Sequence, residues 1–284
     1  MKKLLLAFIC FLSIPSIAQV KASYKIYDSN GKELDYGKML KDLKARDIIL
    51  FGELHNSAIA HWLQLELTKD LDAKNDLVLG AEMLEADNQD EVDAYLNDSI
   101  DASVLDTLAR LWSNHDTDYA PLLNYAKEEG LSFIATNIPR KYANKVYKSG
   151  GFEALDSLTT EEKSWIAPLP IAFDPELPQY KEILEMMGEH GTPSLVMAQA
   201  IKDATMAYFI LENYQMGQQF LHFNGAFHSD FYEGILWYLK RSQPKLNYAT
   251  ISTVTQKNID KLEKEYKGKA DFIIVVDEDV TSTY

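Results

Sequence analysis

The sequence predicts an α/β fold: a mostly parallel central sheet flanked by helices, in a single domain with helical insertions. Three observations predict it. Short apolar runs bounded by polar or glycine residues recur at residues 48–51, 77–79, 131–135, 220–223, 248–254 and 272–276, the mark of strands buried on both faces. Helical patterns separate the first four, as crossover connections between parallel strands require. No Gly/Ser-rich or Pro-rich linker and no internal repeat divides the chain, and its 284 residues fit one large domain.

In chain order, residues 24–28 and 33–34 flank Ser29-Asn30-Gly31-Lys32 and read as a hairpin, because Asn-Gly supplies the positive φ angles of a tight turn. A short amphipathic helix follows at 36–44. Ser57 caps a helix reaching to about residue 71, with Trp62, Leu63, Leu65 and Leu67 among its apolar positions. Residues 119–128 and 139–148 fit further helices. Thr192-Pro193 opens the longest, through Met197, Ile201, Ala204, Tyr208 and Leu211, with proline in the turn that tolerates it. Residues 150–178 read as an irregular excursion carrying short helices, and the acidic stretch 82–93 as the solvated face of a helix start.

Residues 1–18 have the order of a secretory signal peptide: MKK, an apolar run over 4–14, and Ser16-Ile17-Ala18 ahead of Gln19. Cleavage after Ala18 leaves an exported domain over 19–284, periplasmic or secreted. The apolar run is too short to span a bilayer, and no later segment holds the roughly eighteen apolar residues of a membrane helix. The only cysteine, Cys10, lies in the leader, so no mature disulfide is expected and the core must supply stability. Net charge is −15, and cleavage removes Lys2 and Lys3 besides. Such an acidic chain excludes nucleic acid as a partner, since phosphate is repelled.

The chemistry collects where the strands end. Their carboxyl ends carry Gly52-Glu53-Leu54-His55, Gly80-Ala81-Glu82, Thr136-Asn137-Ile138-Pro139-Arg140 and Asn224-Gly225-Ala226-Phe227-His228. Ligands of open α/β sheets bind at that edge. Glu53 and His55, two apart, point the same way in an extended segment. With Glu82 and His228 they form either a ligand set for a divalent metal or a general acid and base beside a nucleophilic water. Gly52, Gly80 and Gly225 fit close backbone approach to a ligand. His61, on the helix after Ser57, faces the site or solvent, with solvent preferred. His115 and Asp116, in a loop at 112–116, read as caps of the next helix, His222 as a satisfied core histidine, and His190 as a turn residue without an evident partner.

The motifs together resemble the ChaN family of haem-binding uptake proteins in the Tiki superfamily. The resemblance rests on an ordered series: IILFGELH with Gln64 beyond it, LVLGAEM with Gln89, LWSNHDTDYAPLLNYAKEEG before Asn137-Ile138-Pro139-Arg140, AQAIKDATMA around Gln199, Asp203 and Met206, and FNGAFH. FNGAFH departs from the family in placing Ala226-Phe227 where a more glycine-rich turn is expected. The resemblance implies haem as cofactor, a role in haem or iron uptake, a homodimer contact at the haem face and association with an outer-membrane uptake system. It also implies a tyrosine on the iron, with Tyr119 and Tyr208 inside matched segments, Asn137 beside them, and Arg140 and Lys141 as cations for the propionates. Hydrolases elsewhere in the superfamily imply the alternative, a metal-dependent hydrolase using Glu53, His55, Glu82 and His228.

Overall fold

A computed structural model describes residues 21–73 and 76–284, and the expected signal peptide lies outside them. The hairpin forms as expected: β1 (Tyr24–Asp28) turns through Gly31, whose φ of 87° suits a residue without Cβ, into β2 (Glu33–Leu34). Asp35 caps α1 (Tyr36–Leu43). β3 (Ile48–Glu53) is followed by α2 (Ala58–Asp72), whose first turn is held by the Ser57 hydroxyl accepting from the Ala60 N–H. β4 (Leu77–Glu85) leads to α3 (Gln89–Leu96), α4 (Ala102–Leu108) and α5 (Ala120–Glu129). Next come β5 (Phe133–Asn137), α6 (Arg140–Ser149), α7 (Thr160–Ser164), α8 (Pro178–Met187) and the long α9 (Pro193–Asn213). β6 (Gln219–Gly225), α10 (Ile235–Ser242), β7 (Tyr248–Gln256) and β8 (Phe272–Asp277) close the chain.

The described strands form one sheet in the order β2-β1-β8-β7-β3-β6-β4-β5. From β8 to β5 every pairing is parallel, and β1 joins β8 and β2 antiparallel at one edge. Alternate residues feed two cores. Ile49, Phe51, Leu221 and Phe223 pack with Met39, Leu63, Leu67 and Leu122 on one face. Ile48, Leu50 and Phe220 pack with Ala204, Ile210, Leu236 and Leu239 on the other. Full burial of side chains of this kind stabilises by roughly 1.5–3 kcal/mol each, so two covered faces hold the sheet without covalent staples. Among the described residues no helix is long and apolar enough to cross a membrane.

The excursion after α6 belongs to the same body. Leu155, Leu158 and Ile166 pack with Tyr142 and Val146 of α6 and Ile201 of α9 in a third cluster. A reciprocal capping box between Thr159 and Glu162 starts α7.

One stretch departs from the sequence reading. β4 runs on to Glu85, so Glu82 lies on a strand and is buried. The acidic start of a helix is confined to Asp90 and Glu91 in the first turn of α3, where the helix dipole favours carboxylates. Counting acidic residues along the chain could not separate the two, because a buried carboxylate differs from a solvated one only in having a cationic partner that arrives from elsewhere.

Candidate functional site

β6 lies between β3 and β4, with Gly225 in register with Glu53 and Phe223 with Ala81. Three neighbouring strand ends thus set Glu53, Gly225 and Glu82 side by side. The Gly225 N–H donates to Glu82 Oε2 at 2.7 Å. A Cβ on Gly225 would lie 2.8 Å from Cε1 and Nε2 of His55 and 3.4 Å from Glu82 Oε2, so the glycine is the seat of the His55 ring. The other two glycines face protein: a Cβ on Gly52 would meet Ala226 Cα and Ile251 O at 2.8 Å, and one on Gly80 the Phe220 ring at 2.8 Å. These two serve packing rather than ligand approach, a correction to the sequence reading.

Glu53 is the hub of the first cluster. Its buried carboxylate accepts from Tyr119 OH at 2.7 Å and from Gln64 Nε2 at 2.6 Å, and lies 2.8 Å from His55 Nδ1. Behind it His61 stands 3.5 Å from Glu53 Oε2 through Nδ1 and 3.5 Å from Asp118 Oδ2 through Nε2. Asp118 in turn accepts from Asn114 Nδ2 and from Thr283 Oγ1, both at 2.7 Å. His61 is buried, against the preferred solvent reading, because the first turn of α2 faces two carboxylates. Burial, reinforced by the neighbouring Glu53 charge, pushes the Tyr119 hydroxyl up and keeps it protonated.

His55 itself is partly open, its side chain 35% exposed, with Trp112 edge-on at 4.9 Å between ring centroids. Burial works against its protonation, but the hydrogen bond to Glu53 and the nearby Glu82 charge outweigh it and raise its pKa. With Nδ1 held by a carboxylate, Nε2 is the nitrogen left to act, the usual way a second group orients a working imidazole. Gly225→Ala should therefore displace the ring from Glu53, and NMR titration should show the His55 pKa dropping; an unmoved titration would mean that the glycine does not seat the ring.

The second cluster is a clamp. His228 Nε2 lies 3.1 Å from Glu82 Oε1 and Nδ1 2.5 Å from Asp203 Oδ1, all three side chains being buried. Burial alone would push the imidazole down, yet the charges of Glu82 and Asp203 push it up to about 10. The imidazolium in turn overcomes burial at Glu82 and holds that carboxyl well below its usual range. Burial dominates at Asp203 and raises it, although Tyr180 OH also donates to it at 3.2 Å. A single turn of 3-10 helix over Ala226–His228 delivers the imidazole.

Glu53, His55, Glu82 and His228 are thus brought together, as two linked pairs. Among the described residues no group of three or more His, Cys, Asp or Glu is arranged to hold a metal ion, since each carboxylate is turned to an imidazole, hydroxyl or amide. The remaining predicted residues spread out. Tyr119 spends its hydroxyl on Glu53. Tyr208 packs half-buried against the α9–α10 core. Asn137 donates to the Glu82 carbonyl at 2.9 Å and braces the end of β4. Arg140 is exposed in a cleft of about 740 Å³ with Lys141, Arg110 and Trp112. Of residues 112–116, Asn114, bonded to the His55 carbonyl and Asp118, and Trp112, edge-on to the His55 ring, serve the site; His115 is buried elsewhere and Asp116 caps nothing. His222 is a core residue as expected, fully buried, bonded to Thr136 and Asn224 and pushed down to about 4 by burial.

Sequence reasoning named Asp203 and Gln64 only as motif residues and gave them no role at the site. The signal was available for Asp203: a carboxylate between Ile201 and Ala204 on the buried stripe of α9 must have a partner.

A cleft of about 800 Å³ opens over both clusters, with Glu53, His55, Glu82 and His228 in its floor. Ile183, Met186 and Met187 of α8 and Leu195 of α9 form an apolar wall, Lys202 and Lys269 add cations, and Tyr284 borders both this cleft and the one holding Arg140. That volume lies within the range of small-molecule and cofactor sites.

The profile of the family described as haem-binding uptake, Tiki superfamily, ChaN matches residues 39–239. No curated protein sequence matches the chain. Among solved structures, the one described as cofacial heme binding to ChaN of Campylobacter jejuni superposes with a TM-score of 0.67 at 17% identity, covering 89% of this chain and 96% of that one. A Bacillus cereus protein superposes with a TM-score of 0.52 at 12% identity, covering 84% and 90% respectively. At such identities the superpositions show the fold.

Proposed function

Because the chain belongs to the haem-binding uptake family of the Tiki superfamily, that of ChaN, we propose that it is an exported haem-binding protein of haem and iron uptake whose haem lies in the cleft over the strand ends. The observation that carries the reading is the make-up of that cleft. An apolar wall from α8 and α9 faces a polar floor in which His55 is oriented by Glu53 through Nδ1, and two lysines also line the cleft. A porphyrin needs an apolar slot, an axial ligand and cations for its propionates, and these residues fit that group. When bound, haem supplies the iron; the chain supplies enclosure and ligation. The iron ligand comes from side chains that line the cleft, namely His55, Tyr266 or Tyr284. The cofacial haem binding described for the Campylobacter jejuni protein, together with the exposed Met186 and Met187 at the cleft, supports a homodimer meeting at this face. The leader expected over residues 1–18 supports export, and the uptake family supports delivery from an outer-membrane system.

Titrating haemin into the purified mature protein should give a saturable absorption change at a fixed stoichiometry. A featureless, non-saturating response would overturn the reading. The hydrolytic alternative has one observation in its favour, the Glu53–His55 pair lining the cleft, which is how a general base is oriented. A protein that leaves haemin unbound but carries a stoichiometric divalent metal would move the assignment there.

A further inference from the structure

Two lysines line the main cleft and they differ in one respect. Lys269 is neutralised: its ammonium lies 2.9 Å from Asp230 Oδ2 and stacks over the Phe231 ring at 5.1 Å. Lys202 is half-buried on α9, and among the described residues it has no ion-pair or hydrogen-bond partner. On a chain of net charge −15, with 43 carboxylates to choose from, a cleft lysine without an internal anion asks for a reason. Its place explains it. Leu195, Gln199 and Lys202 follow one another at helical spacing along the face of α9 that looks into the cleft. Lys202 therefore stands on the same cleft-facing side of α9 as Leu195, in a cleft that Met186 and Met187 of α8 also line.

We infer that Lys202 is the anchor for a carboxylate carried by a largely apolar ligand of this cleft. The inference rests on the haem reading, in which the anchored group is a propionate, and it goes beyond that reading by naming the residue. An ammonium is a compact point charge that meets a carboxylate from several directions, which suits the flexible arm of a ligand whose ring lies against the apolar wall of the cleft. Arg140 and Lys141, the cations expected from sequence, stand in the neighbouring cleft, where Lys141 is 3.5 Å from Asp87 and stacks on Trp165.

The test compares haemin with haemin dimethyl ester, whose propionates are capped, on wild type and Lys202→Gln. Wild type should prefer haemin over the ester by about tenfold, the scale of one charge-assisted contact. Lys202→Gln should weaken haemin binding by about tenfold and leave ester binding unchanged, so that the preference disappears; Lys202→Arg should restore most of it. The variant folds normally if its denaturation midpoint matches wild type, as loss of an unpartnered side chain predicts. Saturable haemin binding with the ester preference intact in Lys202→Gln overturns the inference alone. Failure of wild type to bind either compound removes the haem reading and the inference with it.

Discussion

His228→Ala is expected to destabilise the fold by about 3–5 kcal/mol near pH 7, the range for breaking a buried ion pair from one side. Glu82 and Asp203 would be left facing each other across a gap, both buried, with no cation to offset their desolvation. The pH dependence identifies the cause. In wild type the imidazole is pushed up to about 10, above its unfolded value of about 6.5. The stability from that shift is fully present below about pH 6.5 and lost as pH rises toward 10. In the variant both carboxyls must take up protons to stay buried, a cost absent below their unfolded pKa near 4 and growing above it. Glu82, held well below its usual range in wild type, keeps its share of the stability at pH 4.5, so the difference between wild type and variant should already be present there, be largest between about pH 6 and 7, and shrink toward pH 10. Urea denaturation at pH 4.5, 6.5 and 9.5 measures it. A difference independent of pH would mean that the imidazole is not held as a cation.

Glu53→Ala should be comparably costly, about 3–5 kcal/mol, for a different reason. Its carboxylate is the acceptor for Tyr119 OH and Gln64 Nε2 and the partner of His55 Nδ1. Removing it strands at least two buried donors, each costing about 1–3 kcal/mol when left unpaired, and opens a small void. Tyr119→Phe takes away only one donor and should cost about 1 kcal/mol. The double variant should then be more stable than the sum of the two losses predicts, because the phenylalanine has no hydroxyl to strand. Additive losses in chemical denaturation would show that Tyr119 and Glu53 do not act as a unit. Glu53→Ala should also free the His55 ring, so haemin affinity is to be read beside stability in the same protein.

Strand composition, helix caps and the strand-end motifs were legible in the chain because each depends on neighbours within a few residues. The run at residues 48–51 is apolar on both faces and so must be a buried strand; Ser57 caps the helix after it; Asn30-Gly31 can only turn. Those local rules also placed Glu53, His55, Glu82 and His228 at strand ends, and with the ordered motifs they identified the family. They could not order the strands. That β6 enters between β3 and β4 is decided by two distant crossovers, and that insertion alone joins His228 to Glu82.

The same limit hid the partners of the site. Asp203, Gln64, Asn114 and His61 sit on helices and loops whose spacing makes them look like any polar residue, and their roles come from contacts with residues 8 to 59 positions away. Helices α4, α8 and α10 went unread, and α3 was read only as an acidic helix start. Sequence by itself thus determined the α/β class, the family and the four strand-end groups. Tertiary structure decided that they work as two linked pairs, that the glycines mostly serve packing, and that Lys202 is the cleft lysine left unpaired, because burial and charge pairing are properties of the assembled sheet.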